Sequence, residues 1–421
     1  MPGSGGLSLS PLRGLRFTAG TERLGRLLCP PYDVIDADAR AALVAGDQDN
    51  AVQIVLPVSD GGDPYLAAAD TLDRWVDTGV VAVDTDETLY VYEMATAAGD
   101  VTRGLVGAVE LRDPEDGVIL PHENTMAGPV ADRLALMDAT NANLEPIYLV
   151  YDGGGPASQA VADAGNSPVV AEATTLDGVH HRLWAITDPR ILADVAADLD
   201  RRSALIADGH HRYATYRRLA EQRRRQAGPG PWDRGLALLV DSSTYGPQVH
   251  AIHRVVPALA WPHALARTAS GFQTDEAVDV ASALDALSRV ADDAFAVVVT
   301  DGRRAVTLTD PNADLIASVR RADDPPALLD LDVTVVHRLL VQRVWNLPDD
   351  EDHVLYAHDV SEALATAQRT GGVAVLMRPT PVAAVAAIAA AGARMPRKST
   401  LFTPKPASGM VMRRFADAAH H

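Results

Sequence analysis

The densest group of chemically capable side chains is the run Ala207-Asp208-Gly209-His210-His211-Arg212-Tyr213. The apolar residues before it read as a short strand, Asp208-Gly209 as a tight turn, and the residues from His210 to about 226 as a long helix. Glycine at 209 lets a ligand approach the backbone. The first-turn amides and the positive end of the helix dipole make an anion seat. His210, His211 and Arg212 add donors there, and a guanidinium binds phosphate bidentately. Asp208 can serve as a base or hold a divalent cation through oxygen. The structural alternative makes Asp208 an N-cap and the histidines surface residues. Adjacent histidines do not share one helix face, so zinc held by His210 and His211 together is disfavoured.

Two further segments carry suitable groups. Leu120–Arg133 holds His122, Glu123, Thr125, Asp132 and Arg133 around an Ala-Gly-Pro turn, without the second histidine of a zincin helix. It reads equally as a catalytic loop and as a structural loop closed by a Glu–Arg pair. Met395–Gly409 places Arg397, Lys398, Ser399, Thr400 and Lys405 together, cations and hydroxyls suited to phosphoryl oxygens, without the glycine-rich lead of a Walker loop. Of 37 basic residues only Lys398 and Lys405 are lysines. A position that keeps an ammonium where arginine is otherwise universal suggests a need for a compact point charge. Pro30-Pro31-Tyr32-Asp33 and His253-Arg254 offer single polar groups that, taken alone, read as structural.

These residues need a scaffold. The 421 residues suffice for two or three domains, and 47% apolar with 22% charged residues is a globular balance. The patterning places strands at 27–35, 52–58, 88–96, 103–111, 117–123, 145–152, 180–189, 204–208, 235–243 and 248–256. It places helices at 36–47, 64–79, 131–144, 191–201 and 210–226. A second block of helices and strands follows Pro262. The expected fold is α+β, divided into a flexible lead-in over 1–14, a mixed-sheet core over 15–262, and a second α/β domain over 263–421 that brings the Lys398–Lys405 segment to the cleft. The single cysteine, Cys29, excludes an intramolecular disulfide. A net charge of −19 argues against nucleic-acid binding, which needs a basic footprint. No run is long and apolar enough for a membrane span, and the N-terminus lacks signal-peptide order, so the expected location is cytoplasmic.

Taken together, Pro30–Ile35, Pro121–Thr125 with Ala131–Thr140, His180–Trp184, Ile206–Thr215, His253–Val256 and Met395–Val411 resemble the domain-of-unknown-function 1015 family, in the family's order and over essentially the whole chain. That family in turn resembles the ParB/sulfiredoxin superfamily, in which an Asp-Gly-His-His-Arg-like turn binds nucleotide or pyrophosphate groups. Some relatives phosphorylate free L-serine to O-phosphoserine. The resemblance therefore implies a ParB/sulfiredoxin-like core and a phosphotransferase using Mg²⁺ and a nucleotide (ATP or ADP) or pyrophosphate. The acceptor would be a small molecule, an amino acid in particular, and the protein a homodimer. It maps Asp208, Gly209, His210, His211 and Arg212 onto the phosphate-binding turn. Asp208 or Glu123 would take the hydroxyl proton or hold magnesium, with His122, Arg133, Lys398, Ser399, Thr400 and Lys405 as further ligands. Asn124 departs from the basic residue that usually follows the His-Glu pair. A nucleotide-binding switch without net transfer, or a phosphatase, would use the same seat.

Overall fold

A computed structural model of the chain describes residues 5–59, 61–277 and 279–418. They fall into two compact units, one running to Gln248 and resuming at Pro404, the other covering Val249–Thr403.

The first unit is built on a nine-stranded sheet. Its strands are β1 (Leu9–Ser10), β2 (Leu89–Ala95), β3 (Val101–Glu110), β4 (Ile119–Leu120), β5 (Ile147–Tyr151), β6 (Ala171–Thr174), β7 (His180–Ile186), β8 (Ala204–Asp208) and β9 (Arg234–Asp241). The order is β4-β8-β5-β9-β3-β2-β7-β6, with β1 beside β3. The β8–β4 and β9–β5 pairs are parallel and the other pairings antiparallel, so the sheet is mixed and the class α+β. The central strands are apolar on both faces; Leu105, Ile147, Leu149, Ile206 and Leu239 are all buried, as expected for strands covered on both sides. Helices α1 (Pro64–Asp77), α2 (Ala127–Thr140), α3 (Pro189–Leu199) and α4 (His210–Ala227) pack around it. Tyr213, Tyr216 and Leu219 of α4 enter the same core as Val91, Leu149 and Ile206.

The second unit has a six-stranded antiparallel sheet. Its strands are β10 (His253–Val256), β11 (Gln273–Ala277), β12 (Ala296–Thr300), β13 (Ala305–Thr309), β14 (Leu355–Ala357) and β15 (Val373–Leu376), in the order β11-β13-β12-β15-β10-β14. Its core joins Val255, Val298 and Leu376 to alanines of the helix Val360–Thr370. Among the described residues no helix is long and apolar enough to cross a membrane.

Several expectations are corrected. Residues 1–4 of the expected flexible lead-in lie outside the described residues, but the rest of it is ordered. Gly6 and Leu7 donate their N–H groups to Asp200 and Arg202 carbonyls, β1 pairs with β3, and Leu7, Leu9 and Leu12 are buried. The expected strand at 52–58 is a helical turn, Val52–Val55. There the Asn50 carboxamide accepts from Val52 N–H (2.8 Å) and donates to the Arg26 and Leu28 carbonyls, an Asx turn that competes with the strand favoured by β-branched propensity. The expected strand at 27–35 is the end of the helix Thr21–Leu27, a single bridge from Cys29 to Ser408, and a 3₁₀ turn at Tyr32–Val34. The division falls at 249 instead of 263 because β10 pairs with β14 and β15. The chain from Pro404 belongs to the first unit because Leu15 pairs with Met412 and Cys29 with Ser408.

Candidate functional site

The strand, turn and helix around Asp208 form as the residue types dictate. β8 is buried to Ala207, and its register against β5 shifts between Ile206 and Asp208. Gly209 sits at φ +91°, where a side chain is costly. Gly209 is itself the N-cap, so Asp208 caps nothing, and α4 starts with Tyr213 N–H bonding Gly209 O at 2.8 Å. The four-residue spacing then brings Arg212 back over Asp208. Its Nη2 donates to Asp208 Oδ2 and its Nη1 to Pro146 O. Arg212 is 4% exposed. Burial opposes its charge, but Asp208, Glu145 and Asp33 outweigh burial and raise its pKa.

Lys405 completes the group from the far end of the sequence. Its Nζ lies 2.7 Å from Asp208 Oδ1 and donates to Asp33 Oδ2 at 3.3 Å. Burial works against this ammonium too, yet Asp208 and Asp33 raise its pKa. The segment bearing it is pinned at three points. Ala407 N–H donates to Tyr92 Oη (3.1 Å), Ser408 pairs with Cys29 through both backbone groups, and Ser408 Oγ donates to Glu145 Oε1 (3.0 Å). The same Glu145 oxygen accepts from Tyr32 N–H (3.1 Å), which fixes the Pro30–Asp33 turn beside the lysine. Asp33 and Glu145 were not among the expected site residues. Asp33 follows a Pro-Pro turn that looked merely structural, and nothing near Glu145 in sequence marks it.

The His122 segment meets the start of α4. His122 N–H donates to His210 Nε2 (3.3 Å), and the two rings meet edge to face with centroids 4.5 Å apart. Met126 N–H donates to His211 Nε2 (3.1 Å). In both histidines Nε2 is therefore an acceptor, leaving the proton to Nδ1. Glu123 follows as a partly buried side chain. Arg133 is engaged by protein groups: Nε and Nη2 on Asp132, Nη1 on Val55 O, and its plane 4.1 Å from the centre of the Tyr32 ring. A cavity of about 20 Å³, room for one water, lies between Arg133, Glu145, Arg212 and Tyr216. Arg212 Nε, buried beside it, has no hydrogen-bond partner among the described residues.

The first unit thus brings together Asp208, Gly209, His210, His211, Arg212, His122 and Lys405. Lys398, Ser399 and Thr400 belong to the second unit. Among the described residues no three His, Cys, Asp or Glu side chains form a metal cage. Asp33 and Asp208, two carboxylates reaching one ammonium, are nonetheless the donors Mg²⁺ takes when phosphate oxygens and water complete its shell.

A family model described as a protein of unknown function (DUF1015) matches residues 9–334. No curated protein matches the chain. Among solved structures, a conserved hypothetical protein from Pyrococcus furiosus is 14% identical with a TM-score of 0.35, covering 72% of this chain and 94% of that one. A free serine kinase in complex with AMP is 12% identical with a TM-score of 0.35, covering 68% and 83%. SbnI with C-terminal truncation from Staphylococcus aureus is 10% identical with a TM-score of 0.35, covering 73% and 86%. Similarity at this level assigns neither a residue nor a substrate.

Proposed function

The chain belongs to the DUF1015 family of proteins of unknown function, and we propose that it is a phosphotransferase that moves a phosphoryl group from a nucleotide (ATP or ADP) or pyrophosphate to the hydroxyl of free L-serine. The observation that carries this reading is the pair of cations, Lys405 and Arg212, held on one carboxylate at the start of the 18-residue helix α4. Phosphoryl transfer asks a protein mainly for positioning and charge stabilisation. An ammonium, a guanidinium and a helix N-terminus supply both. The ParB/sulfiredoxin relation of the first unit is part of the same reading.

Each Asp208 oxygen faces a cation, which suits Asp208 to organise Lys405 and Arg212 more than to accept a proton. Glu123 is then the carboxylate that takes the acceptor's proton as the new O–P bond forms and the bond to the leaving phosphate or nucleotide breaks. Asp208 and Asp33, through lone pairs left by Lys405 and Arg212, would hold Mg²⁺, which would add neutralisation of the donor phosphates. His210 and His211 stand at the start of α4, with their Nε2 atoms accepting from His122 and Met126 N–H groups.

The test is incubation of the full chain with L-serine, Mg²⁺ and, in turn, ATP, ADP and pyrophosphate, with O-phosphoserine read by mass spectrometry. Product with one donor, lost in Lys405→Met, supports the reading. No phosphoserine with any of the three ends it, and inorganic phosphate released without transfer points to a hydrolase.

A further inference from the structure

The second unit contains a buried polar chain that ends at an exposed turn. Asp349 Oδ1 faces His337 Nδ1 at 2.7 Å, and His337 Nε2 accepts from Arg254 Nε at 3.0 Å. His337 rides on a π-helical stretch, Val335–Val344, a form that recurs at functional sites. Arg254 is 1% exposed and lies over the Tyr356 ring. Its Nη2 donates to two successive carbonyls, Arg397 O at 3.1 Å and Lys398 O at 2.8 Å.

That double contact sets the direction of two peptide planes. In a trans peptide the N–H points opposite to the C=O. The N–H groups of Lys398 and Ser399 therefore both face away from the buried guanidinium. Neither donates to another backbone group among the described residues. Lys398 is exposed and holds φ +53°, a strained value for a residue with a side chain. Ser399 Oγ closes the turn on Pro396 O at 2.5 Å. Lys405 is wedged between two carboxylates, whereas Lys398 enters no ion pair among the described residues, in a chain of net charge −19.

We propose that the Pro396–Ser399 turn is an anion-binding nest for a phosphate group, formed by the N–H groups of Lys398 and Ser399 and the Lys398 ammonium, with Arg254 as the positioning residue behind it. Lys398 is exposed while Ser399 is 3% exposed, so its N–H is set within the turn; successive N–H groups around a left-handed residue are the backbone geometry that takes phosphate oxygens. The strain at Lys398 is explained by this role, since glycine would hold the same turn without it but would bring no charge. The nest does not depend on the serine kinase reading of the first unit.

The lysine count makes the test direct. Full chain labelled with ¹⁵N-lysine gives two backbone amide signals, and the one missing in Lys398→Arg is Lys398. Titration with inorganic pyrophosphate, and separately with ADP, shifts this signal saturably in the wild type and in Lys405→Met; sodium chloride at matched ionic strength does not. A shift with ADP alone assigns the nest to nucleotide phosphates, and a shift with both assigns it to phosphate generally. By calorimetry, Lys398→Gly on the Lys405→Met background weakens pyrophosphate binding about tenfold, the worth of one charge-assisted contact. That variant keeps its stability, because glycine accepts the positive φ. A Lys398 signal that stays still, moves equally in chloride, or responds only when Lys405 is present overturns the nest. So does a Lys405→Met chain with no pyrophosphate isotherm. Failure to make phosphoserine leaves the nest untouched, so the two ideas fail separately.

Discussion

Asp208 is the residue on which the first unit's site turns, because it neutralises two cations that are themselves nearly out of water. Asp208→Asn would remove the carboxylate that Arg212 and Lys405 share, leaving only Asp33 and Glu145 to balance the two cations. Removing one partner of a buried ion pair costs about 3 kcal/mol, so we expect that loss in urea unfolding at neutral pH, together with loss of transfer activity. A variant as stable as wild type would show the group to be solvated. Lys405 adds a pH signature. Its pKa is raised above the ordinary lysine value of 10.5 by Asp208 and Asp33, against the opposing effect of burial. The folded state thus holds this proton more tightly than the unfolded chain does. The stabilisation is complete below the ordinary lysine pKa and is lost as pH rises through the raised one. Wild type should therefore lose stability more steeply than Lys405→Met above about pH 10.5, and parallel unfolding curves there would refute the pairing.

At the scale of the element, the unit of function is strand, glycine and helix. A methyl group at Gly209 would lie 3.0 Å from Arg212 Nε, on a backbone at φ +91°. Gly209→Ala should cost about 1–2 kcal/mol from the left-handed backbone alone. It should also lower donor affinity by displacing the guanidinium, so affinity unchanged beside lowered stability would separate Arg212 from binding. This element was legible in the sequence, since an apolar run, an Asp-Gly break and a helical repeat follow one another without outside help. The segments at 27–35 and 52–58 were not, because their conformation is decided from elsewhere. Asn50 ties Val52 to the Arg26 and Leu28 carbonyls, and Glu145 with Ser408 fixes the Tyr32 turn from over 110 residues away. Asn50→Ala, which strands buried backbone groups, should cost about 2 kcal/mol, measured as a shift in the urea midpoint. For the same reason Asp33 and Glu145 escaped the reading of the residues while Asp208 and Arg212, four apart on one helix start, did not.

For the whole molecule, alternating helices and strands were enough to expect α+β and two bodies, but not to see the chain return to the first body at Pro404. That return depends on pairings such as Leu15 with Met412, which no local pattern encodes. Each unit also carries a histidine that must stay neutral. In the first, His181 takes a hydrogen bond between Nδ1 and the Tyr92 hydroxyl (2.8 Å), and that hydroxyl receives Ala407 N–H, two residues from Lys405. In the second, His253 Nδ1 accepts from Met377 N–H (3.1 Å). Burial pushes both down to about 4 from 6.5. As pH falls below 6.5 the unfolded chain takes up these protons first, so stability drains between pH 6.5 and 4 and is lost in full below the folded pKa. A shift of this size corresponds to roughly 3 kcal/mol per histidine. Acid also relieves repulsion within a chain of net charge −19, so the histidine contribution must be read as a difference between variants. Hydrogen exchange resolved by unit, from pH 7 to pH 4, should show His181→Gln flattening the acid loss in the first unit alone and His253→Gln in the second alone. Because Tyr92 links His181 to the Lys405 segment, His181→Gln should also hold transfer activity to lower pH than wild type. Equal acid slopes in wild type and both variants would mean that neither imidazole is kept neutral by its burial.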